Sequence, residues 1–229
     1  MRLLLLSNST LAGQPYLGWA TDHLRDFFGP DVQRLAFAPF AAVRFSYDEY
    51  VQRVQEALGD GIEVVGLHEG KDVLGSADAV AVGGGNTFHL LRALYQTGLL
   101  DRIETAVRGG MPYAGWSAGA NVAGPSVRTT NDMPIVEPPS LSALGLVPFQ
   151  INPHYTDAHP PGHQGETRRE RIAEFVTANP GVPVVGLPEG TALRREGDRL
   201  TLVGEGAAYL FHDVEPEQTD PRADLSALL

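Results

Sequence analysis

Short apolar segments alternate along most of this chain with segments whose apolar residues recur at helical spacing. Short, largely apolar segments predict buried strands at residues 3–6, 32–37, 62–67, 79–82, 149–151 and 184–187. Helical patterns lie between them, at residues 17–28, 46–58, 101–108 and 167–178, and in the segment after the fourth strand, where Phe88, Leu91 and Leu94 form one stripe. Strands that alternate with helices form a mostly parallel sheet with helices on both faces. We therefore predict an α/β fold in a single domain that spans residues 1–229.

Size and charge narrow the possible functions. The chain has 229 residues, a net charge of −11 and no cysteine. The negative charge argues against a nucleic-acid partner, and the absence of cysteine excludes disulfides and a thiolate nucleophile. The apolar run at the N-terminus is too short for a signal peptide, and no stretch is long and apolar enough to span a bilayer. We expect a cytoplasmic protein without a membrane partner.

The C-terminal part departs from the alternating pattern. Residues 193–211 predict a β-hairpin that turns at Glu196-Gly197-Asp198. The polar residues from about 212 are expected to form a loose tail. Residues 125–146 form a long irregular stretch, and a loop of that length inside an α/β domain is usually functional or mobile.

Gly115-Trp116-Ser117-Ala118-Gly119 follows a predicted strand and precedes a short helical segment. Gly-x-Ser-x-Gly at such a turn is the pattern of a nucleophile elbow, in which the serine hydroxyl projects from the sheet. The N–H of Ala118 could then stabilise a developing oxyanion. The pentapeptide alone is also compatible with a buried structural turn, so its context must decide.

Three other polar or glycine-rich segments follow predicted strands. If these strands are parallel, we expect all of the segments to lie with Ser117 along one edge of the sheet, where ligands of such sheets bind. His154 follows Asn-Pro at the end of one strand and could act as a general base, although a surface histidine is the alternative. Glu189, between proline and glycine, could orient that base or be a solvated carboxylate. Asp132, in the long loop, is a rival for the orienting acid or could bind a substrate ammonium.

The glycine run Gly83-Gly84-Gly85 follows another predicted strand. Gly85 could supply a second oxyanion donor beside Ala118. A phosphate cradle at a helix N-terminus is a weaker interpretation, since no nucleotide-binding motif accompanies the run. The third interpretation is a simple turn between strand and helix, without a binding role.

Arg168 and Arg169 lie near a helix start, where arginine is unfavourable to the helix dipole. A guanidinium there could bind a carboxylate, or it could pair with Glu166 or Glu170. His159 and His163 flank a Pro-Pro-Gly turn, but their spacing matches no zinc template. We expect neither a metal nor a cofactor.

Several of these segments together resemble the peptidase E family, the α-aspartyl dipeptidases among the serine peptidases (family S51). The resemblance extends from the first strand to about residue 190. It rests on Ser7-Asn8-Ser9-Thr10, Gly83-Gly-Gly-Asn-Thr-Phe88, Gly115-Trp-Ser-Ala-Gly-Ala-Asn121, Arg128-Thr-Thr-Asn-Asp-Met-Pro-Ile-Val136, Gln150-Ile-Asn-Pro-His154, Gly165-Glu-Thr-Arg168 and Gly186-Leu-Pro-Glu-Gly190.

The resemblance implies a flavodoxin-like fold related to class I glutamine amidotransferases, and hydrolysis of dipeptides with an N-terminal aspartate. Ser117 matches the family's nucleophile and His154 its base. Glu189 and Asp132 both match residues proposed as the acid, and we prefer Glu189 on its strand-end position. Arg168 matches the residue that binds the substrate aspartate.

Two other functions fit the same residues. One is a serine hydrolase of β-linked aspartyl substrates, similar to cyanophycinase. The other is a non-catalytic module that binds an acidic metabolite. The expected partner is a small acidic dipeptide substrate, and the protein is expected to be a monomer or a homodimer.

Overall fold

The computed structural model describes residues 1–70, 72–158, 162 and 164–229. His159 and His163 lie outside the described residues. The strands are β1 (Arg2–Leu6), β2 (Arg34–Ala38), β3 (Glu63–Gly66), β4 (Ala79–Val82), β5 (Tyr113–Trp116), β6 (Gln150–Pro153), β7 (Val184–Leu187), β8 (Thr191–Glu196), β9 (Arg199–Gly204), β10 (Tyr209–Phe211) and β11 (Glu217–Gln218). The α-helices are α1 (Thr21–Phe28), α2 (Tyr47–Leu58), α3 (Thr87–Thr97), α4 (Leu99–Arg108), α5 (Ala118–Asn121) and α6 (Arg168–Ala178). None of the helices built from described residues has the length and apolar character needed to cross a membrane.

A seven-stranded sheet has the order β3-β2-β4-β5-β1-β8-β9. The first five strands are parallel, and β8 and β9 continue the sheet in antiparallel fashion. The run β3-β2-β4-β5 has the 2-1-3-4 order of a flavodoxin-like sheet, with β1 added in the fifth position. The predicted α/β class with a mostly parallel sheet is therefore confirmed.

Side chains of β1 alternate between the two faces of this sheet, as strand geometry requires. Leu3 and Leu5 belong to a buried cluster that contains apolar residues of α3 and α4. Leu4 and Leu6 belong to a second cluster with residues of α1 and α2. The continuous leucine run is thus explained by burial on both faces, and helices cover both faces as predicted.

Two helix starts differ from the sequence patterns. The pattern predicts that α1 begins near residue 17, but Leu17 has a φ of 57°, a turn conformation, and the helix begins at Thr21. At α2, Ser46 accepts the backbone N–H of Glu49 at 3.1 Å. The spacing of Ser46 and Glu49 is that of a capping box, but the Glu49 carboxylate pairs with Arg53, one helical turn on, and does not complete it.

β6 and β7 do not belong to the seven-stranded sheet. They pair with each other in parallel, and with β10 and β11 they form a second sheet of order β11-β10-β7-β6. The expectation that every functional strand end lies along one sheet is wrong in this respect, because periodicity indicates a strand but not its neighbours. The short turn 188–190 joins β7 directly to β8, and so brings the ends of β6 and β7 beside the central sheet.

The predicted hairpin is present as β8 and β9, which pair from Thr191–Gly204 to Glu196–Arg199. Residues 209–211 instead cross to the second sheet as β10.

The residues after 212 do not form the loose tail that their polarity predicts. Leu225 is 6% exposed and its N–H donates to Leu200 at 2.8 Å, so the tail folds back onto β9.

Candidate active site

Ser117 occupies a sharp turn between β5 and α5, with φ 53° and ψ −112°. A positive φ is strained for any residue other than glycine, and such strain concentrates at functional sites. A Cβ added to Gly115 would lie 2.4 Å from the carbonyl oxygen of Gly119, and one added to Gly119 would lie 2.0 Å from that of Val82. Both glycines are therefore sterically required, as the elbow pattern predicts.

His154 follows β6 and faces Ser117 from the second sheet. Its Nε2 lies 2.9 Å from the Ser117 Oγ, and its Nδ1 lies 2.7 Å from Oε1 of Glu189. The side chains of His154 and Glu189 are 35% and 52% exposed. The structure thus brings a hydroxyl, an imidazole and a carboxylate into one continuous hydrogen-bonded chain at the surface of the molecule.

Two buried polar residues at the end of β1 hold this chain in place. The Ser7 hydroxyl accepts the backbone N–H of His154 at 2.8 Å and donates to the Leu187 carbonyl at 2.7 Å. The Asn8 side chain accepts the N–H of Gly190 at 2.9 Å, next to Glu189. We assigned these two residues no role from the sequence. The signal in the sequence is an apolar strand followed directly by two polar residues. In the structure both residues are at most 1% exposed.

Asp132 lies elsewhere, at the N-terminus of α3. Its Oδ2 accepts the backbone N–H of Thr87 at 2.7 Å and the Thr87 hydroxyl at 2.6 Å. A carboxylate is favourable there because it meets the positive end of the helix dipole. The hydrogen bonds of the described residues include none between Asp132 and His154, which uses Glu189 instead.

The glycine run approaches the elbow closely. A Cβ on Gly84 would lie 3.0 Å from the Cβ of Ser117. Gly85 has a φ of 137°, and a Cβ there would lie 2.3 Å from the carbonyl oxygen of Ala41. Within the described part of the chain, the backbone N–H groups of Gly85 and Ala118 donate to no protein acceptor. Two free donors are thus available beside the serine.

Arg168 is the first residue of α6, and its Nη1 is buried without a hydrogen-bond partner. Burial lowers the pKa of its guanidinium, and the nearby Glu189 carboxylate partly offsets this effect. Arg168 lines a cavity of about 160 Å³. The residues around this cavity are Arg128, Thr129, Thr130, Asn131, Asp132, Asn152, Arg168, Arg171, Ile172 and Phe175.

The alternative role for Arg168, a surface ion pair, is not observed. The ion pairs among the described residues include none from Arg168 to Glu166 or Glu170. Glu166 lies 3.7 Å from Arg171, and Glu170 caps the start of α6 through the preceding threonine. The buried Nη1 of Arg168 therefore lacks a hydrogen-bond partner, which is costly unless a bound acceptor, such as a carboxylate, satisfies it.

No group of three or more metal-ligating side chains is present among the described residues. The candidate active site therefore consists of the hydrogen-bonded residues Ser117, His154 and Glu189, the two free backbone donors and the cavity lined by Arg168.

The chain is similar to proteins of a known family over most of its length. Residues 3–203 match the model of peptidase family S51. A peptidase E from Streptomyces coelicolor is 57% identical over 235 residues, which covers 100% of this chain and 95% of that protein. A peptidase E from Nostoc sp. is 50% identical over 221 residues, covering 95% and 91% respectively.

Solved structures agree with this match. A Listeria monocytogenes protein assigned as a peptidase E superposes with a TM-score of 0.64 at 25% identity, over 89% of this chain and 98% of that one. A peptidase from an acI-B1 actinobacterium has the same fold, with a TM-score of 0.72 at 19% identity over 98% and 96% of the two chains.

Proposed function

The chain belongs to peptidase family S51 and is a serine dipeptidase, and we propose that it cleaves dipeptides with an N-terminal aspartate at Ser117. The observation that carries the proposal is the chain of hydrogen bonds from Ser117 through His154 to Glu189, together with a cavity lined by Arg168, whose Nη1 is buried without a hydrogen-bond partner. The relatives called peptidase E match nearly the whole chain and support the same activity.

In the first step the Ser117 Oγ attacks the carbonyl carbon of the aspartyl residue while its proton passes to Nε2 of His154, 2.9 Å away. The carbonyl oxygen becomes an oxyanion, which the N–H groups of Gly85 and Ala118 stabilise. The C–N bond then breaks, and His154 returns the proton to the leaving amine. An aspartyl ester on Ser117 and a free amino acid result.

The second step removes the aspartyl group. A water molecule attacks the ester carbonyl and gives its proton to His154, and the serine oxygen leaves with that proton. Glu189 accepts a hydrogen bond from the Nδ1–H of His154, which fixes the tautomer that exposes Nε2 as a base and stabilises the imidazolium. About half of the Glu189 side chain is exposed, and solvent screens its charge. We therefore expect Glu189 to stabilise the imidazolium less than a fully buried carboxylate would.

Arg168 provides the specificity in this proposal. A bound aspartate side chain would place a carboxylate against the guanidinium, and the pair would form in a small, partly desolvated cavity. A neutral side chain would leave the cation unpaired. Asp132 lines the same cavity, and its Oδ1 has no hydrogen bond among the described residues, which supports a role in binding the substrate ammonium rather than in orienting His154.

The cavity also bears on the choice of partner. The whole chain carries a net charge of −11, which disfavours nucleic acid, whereas the cavity concentrates three arginines around one aspartate. We propose a small acidic dipeptide as the substrate, taken by a monomer or homodimer.

Two neutral substitutions, Glu189→Gln and Asp132→Asn, distinguish between the two candidates for the acid that orients His154. We expect Glu189→Gln to lower kcat for Asp-Leu by about 10- to 100-fold with little change in KM, because the base loses its orienting partner. Asp132→Asn should mainly raise KM, because it would weaken ammonium binding. Steady-state release of leucine measures both. A larger loss of kcat in Asp132→Asn than in Glu189→Gln would reverse the assignment.

A further inference from the structure

The peptide between Gly84 and Gly85 carries one of the two proposed oxyanion donors. The carbonyl of Gly84 and the N–H of Gly85 belong to the same planar unit, so the direction of one fixes the direction of the other. Gly85 has a φ of 137° and no side chain to restrain it. An N–H that must point at a developing charge therefore needs a restraint on the carbonyl side.

Tyr50, on α2, forms a hydrogen bond with the carbonyl oxygen of Gly84. Its hydroxyl donates to the Gly84 oxygen at 2.9 Å and accepts the indole N–H of Trp116 at 3.1 Å. The Tyr16 hydroxyl donates to it at 3.3 Å. Trp116 directly precedes Ser117, so a single hydroxyl connects the glycine loop to the strand that carries the nucleophile.

The position of this hydroxyl is itself rigid. Tyr50 is 4% exposed, and its ring packs edge-on against Phe37 and Phe45 at centroid distances of 4.9 and 5.2 Å. A Cβ on Gly83 would lie 2.7 Å from the hydroxyl oxygen, so this glycine allows the close approach. Burial raises the pKa of Tyr50, which keeps the hydroxyl protonated and able to donate.

We propose that Tyr50 is a positioning residue for the oxyanion hole, whose buried hydroxyl holds the Gly84–Gly85 peptide so that the Gly85 N–H points at the reacting carbonyl oxygen. The inference rests on the proposed function of Ser117. A hydrogen bond to the carbonyl also polarises the same peptide and strengthens its N–H as a donor. Both effects act on the charge that develops during the reaction, so they affect kcat and not substrate binding.

The test compares Tyr50→Phe with Tyr16→Phe, which removes a neighbouring tyrosine hydroxyl but leaves the Tyr50–Gly84 hydrogen bond in place. We expect Tyr50→Phe to lower kcat for Asp-Leu about tenfold with KM within about twofold, less than the loss of an oxyanion donor itself. Tyr16→Phe should keep kcat within about twofold of wild type. Unchanged kcat in Tyr50→Phe, or an equal loss in both variants, overturns the inference.

Two further measurements keep the result interpretable. Should Tyr50→Phe fail to fold, 4-aminophenylalanine at position 50 retains a weaker donor, and kcat should fall about threefold with KM unchanged. A wild-type kcat in that variant overturns the inference. Wild type and Ser117→Ala are assayed in parallel. An inactive wild type would reject the proposed function, whereas an active wild type beside an unaffected Tyr50→Phe rejects only the role of Tyr50.

Discussion

Replacing Ser117 with alanine should reduce leucine release from Asp-Leu by on the order of 10³-fold or more, because the attacking atom is lost. The protein should remain folded, since alanine differs from serine by one oxygen and the turn geometry is imposed by Gly115 and Gly119. The measurement is kcat with the purified variant, together with its thermal unfolding temperature.

Ser9→Ala is a suitable control for this experiment. Ser9 also lies in a loop that follows a strand of the central sheet, but it takes no part in the hydrogen-bonded chain. We expect near-normal turnover in that control. Normal turnover in Ser117→Ala would reject Ser117 as the nucleophile.

Replacing Arg168 with methionine should lower kcat/KM for Asp-Leu by about 10²- to 10³-fold, the usual cost of removing one partner of a desolvated charge pair. The same variant should lose little activity toward Asn-Leu, which offers no carboxylate. The preference for aspartate over asparagine should therefore collapse. The ratio of the two kcat/KM values measures this directly, and it is independent of the amount of active protein.

Arg169→Met is the matched control, because Arg169 is the next residue on α6 and pairs with Glu215 on the surface. It should retain the preference for aspartate. Arg168→Met should be at least as stable as wild type, since the variant no longer buries an unpaired guanidinium nitrogen. An unchanged preference for Asp-Leu over Asn-Leu in Arg168→Met would contradict the role of this arginine.

The elbow is the part of the site that the sequence predicts most fully. Its geometry depends on residues within one pentapeptide, and the clash distances at Gly115 and Gly119 explain why glycine occupies both positions. The α/β class follows in the same way from local periodicity. The membership in peptidase family S51 that the motifs indicated is confirmed by the match over residues 3–203.

The approach of His154 to Ser117 follows only in part from the sequence. The alternating pattern predicts strand ends along one sheet, yet His154 and Glu189 follow strands of a second sheet. His154 still contacts Ser117, and Glu189 contacts His154, because the turn after β7 leads straight into the central sheet. Strand pairing is a long-range property, and apolar periodicity indicates a strand without identifying its neighbours.

The supporting contacts could not be predicted for the same reason. Ser7 contacts the backbone of a residue 147 positions away, and Tyr50 contacts Gly84 across 34 positions. In sequence, Tyr50 is one of several apolar residues along the buried face of α2. Asp132 lies in an irregular loop, where no periodic pattern indicates which group its carboxylate meets.

The measurement that tests the central claim most directly is leucine release from Asp-Leu, Glu-Leu, Asn-Leu, Ala-Leu and β-Asp-Leu, with Ser117→Ala as the blank. The proposal predicts turnover of Asp-Leu far above the other four, and none above background in the blank. Preference for β-Asp-Leu would instead indicate a hydrolase of β-linked substrates. Binding of Asp-Leu by well-folded protein without release of leucine would contradict the proposed cleavage and indicate an acidic-metabolite-binding module.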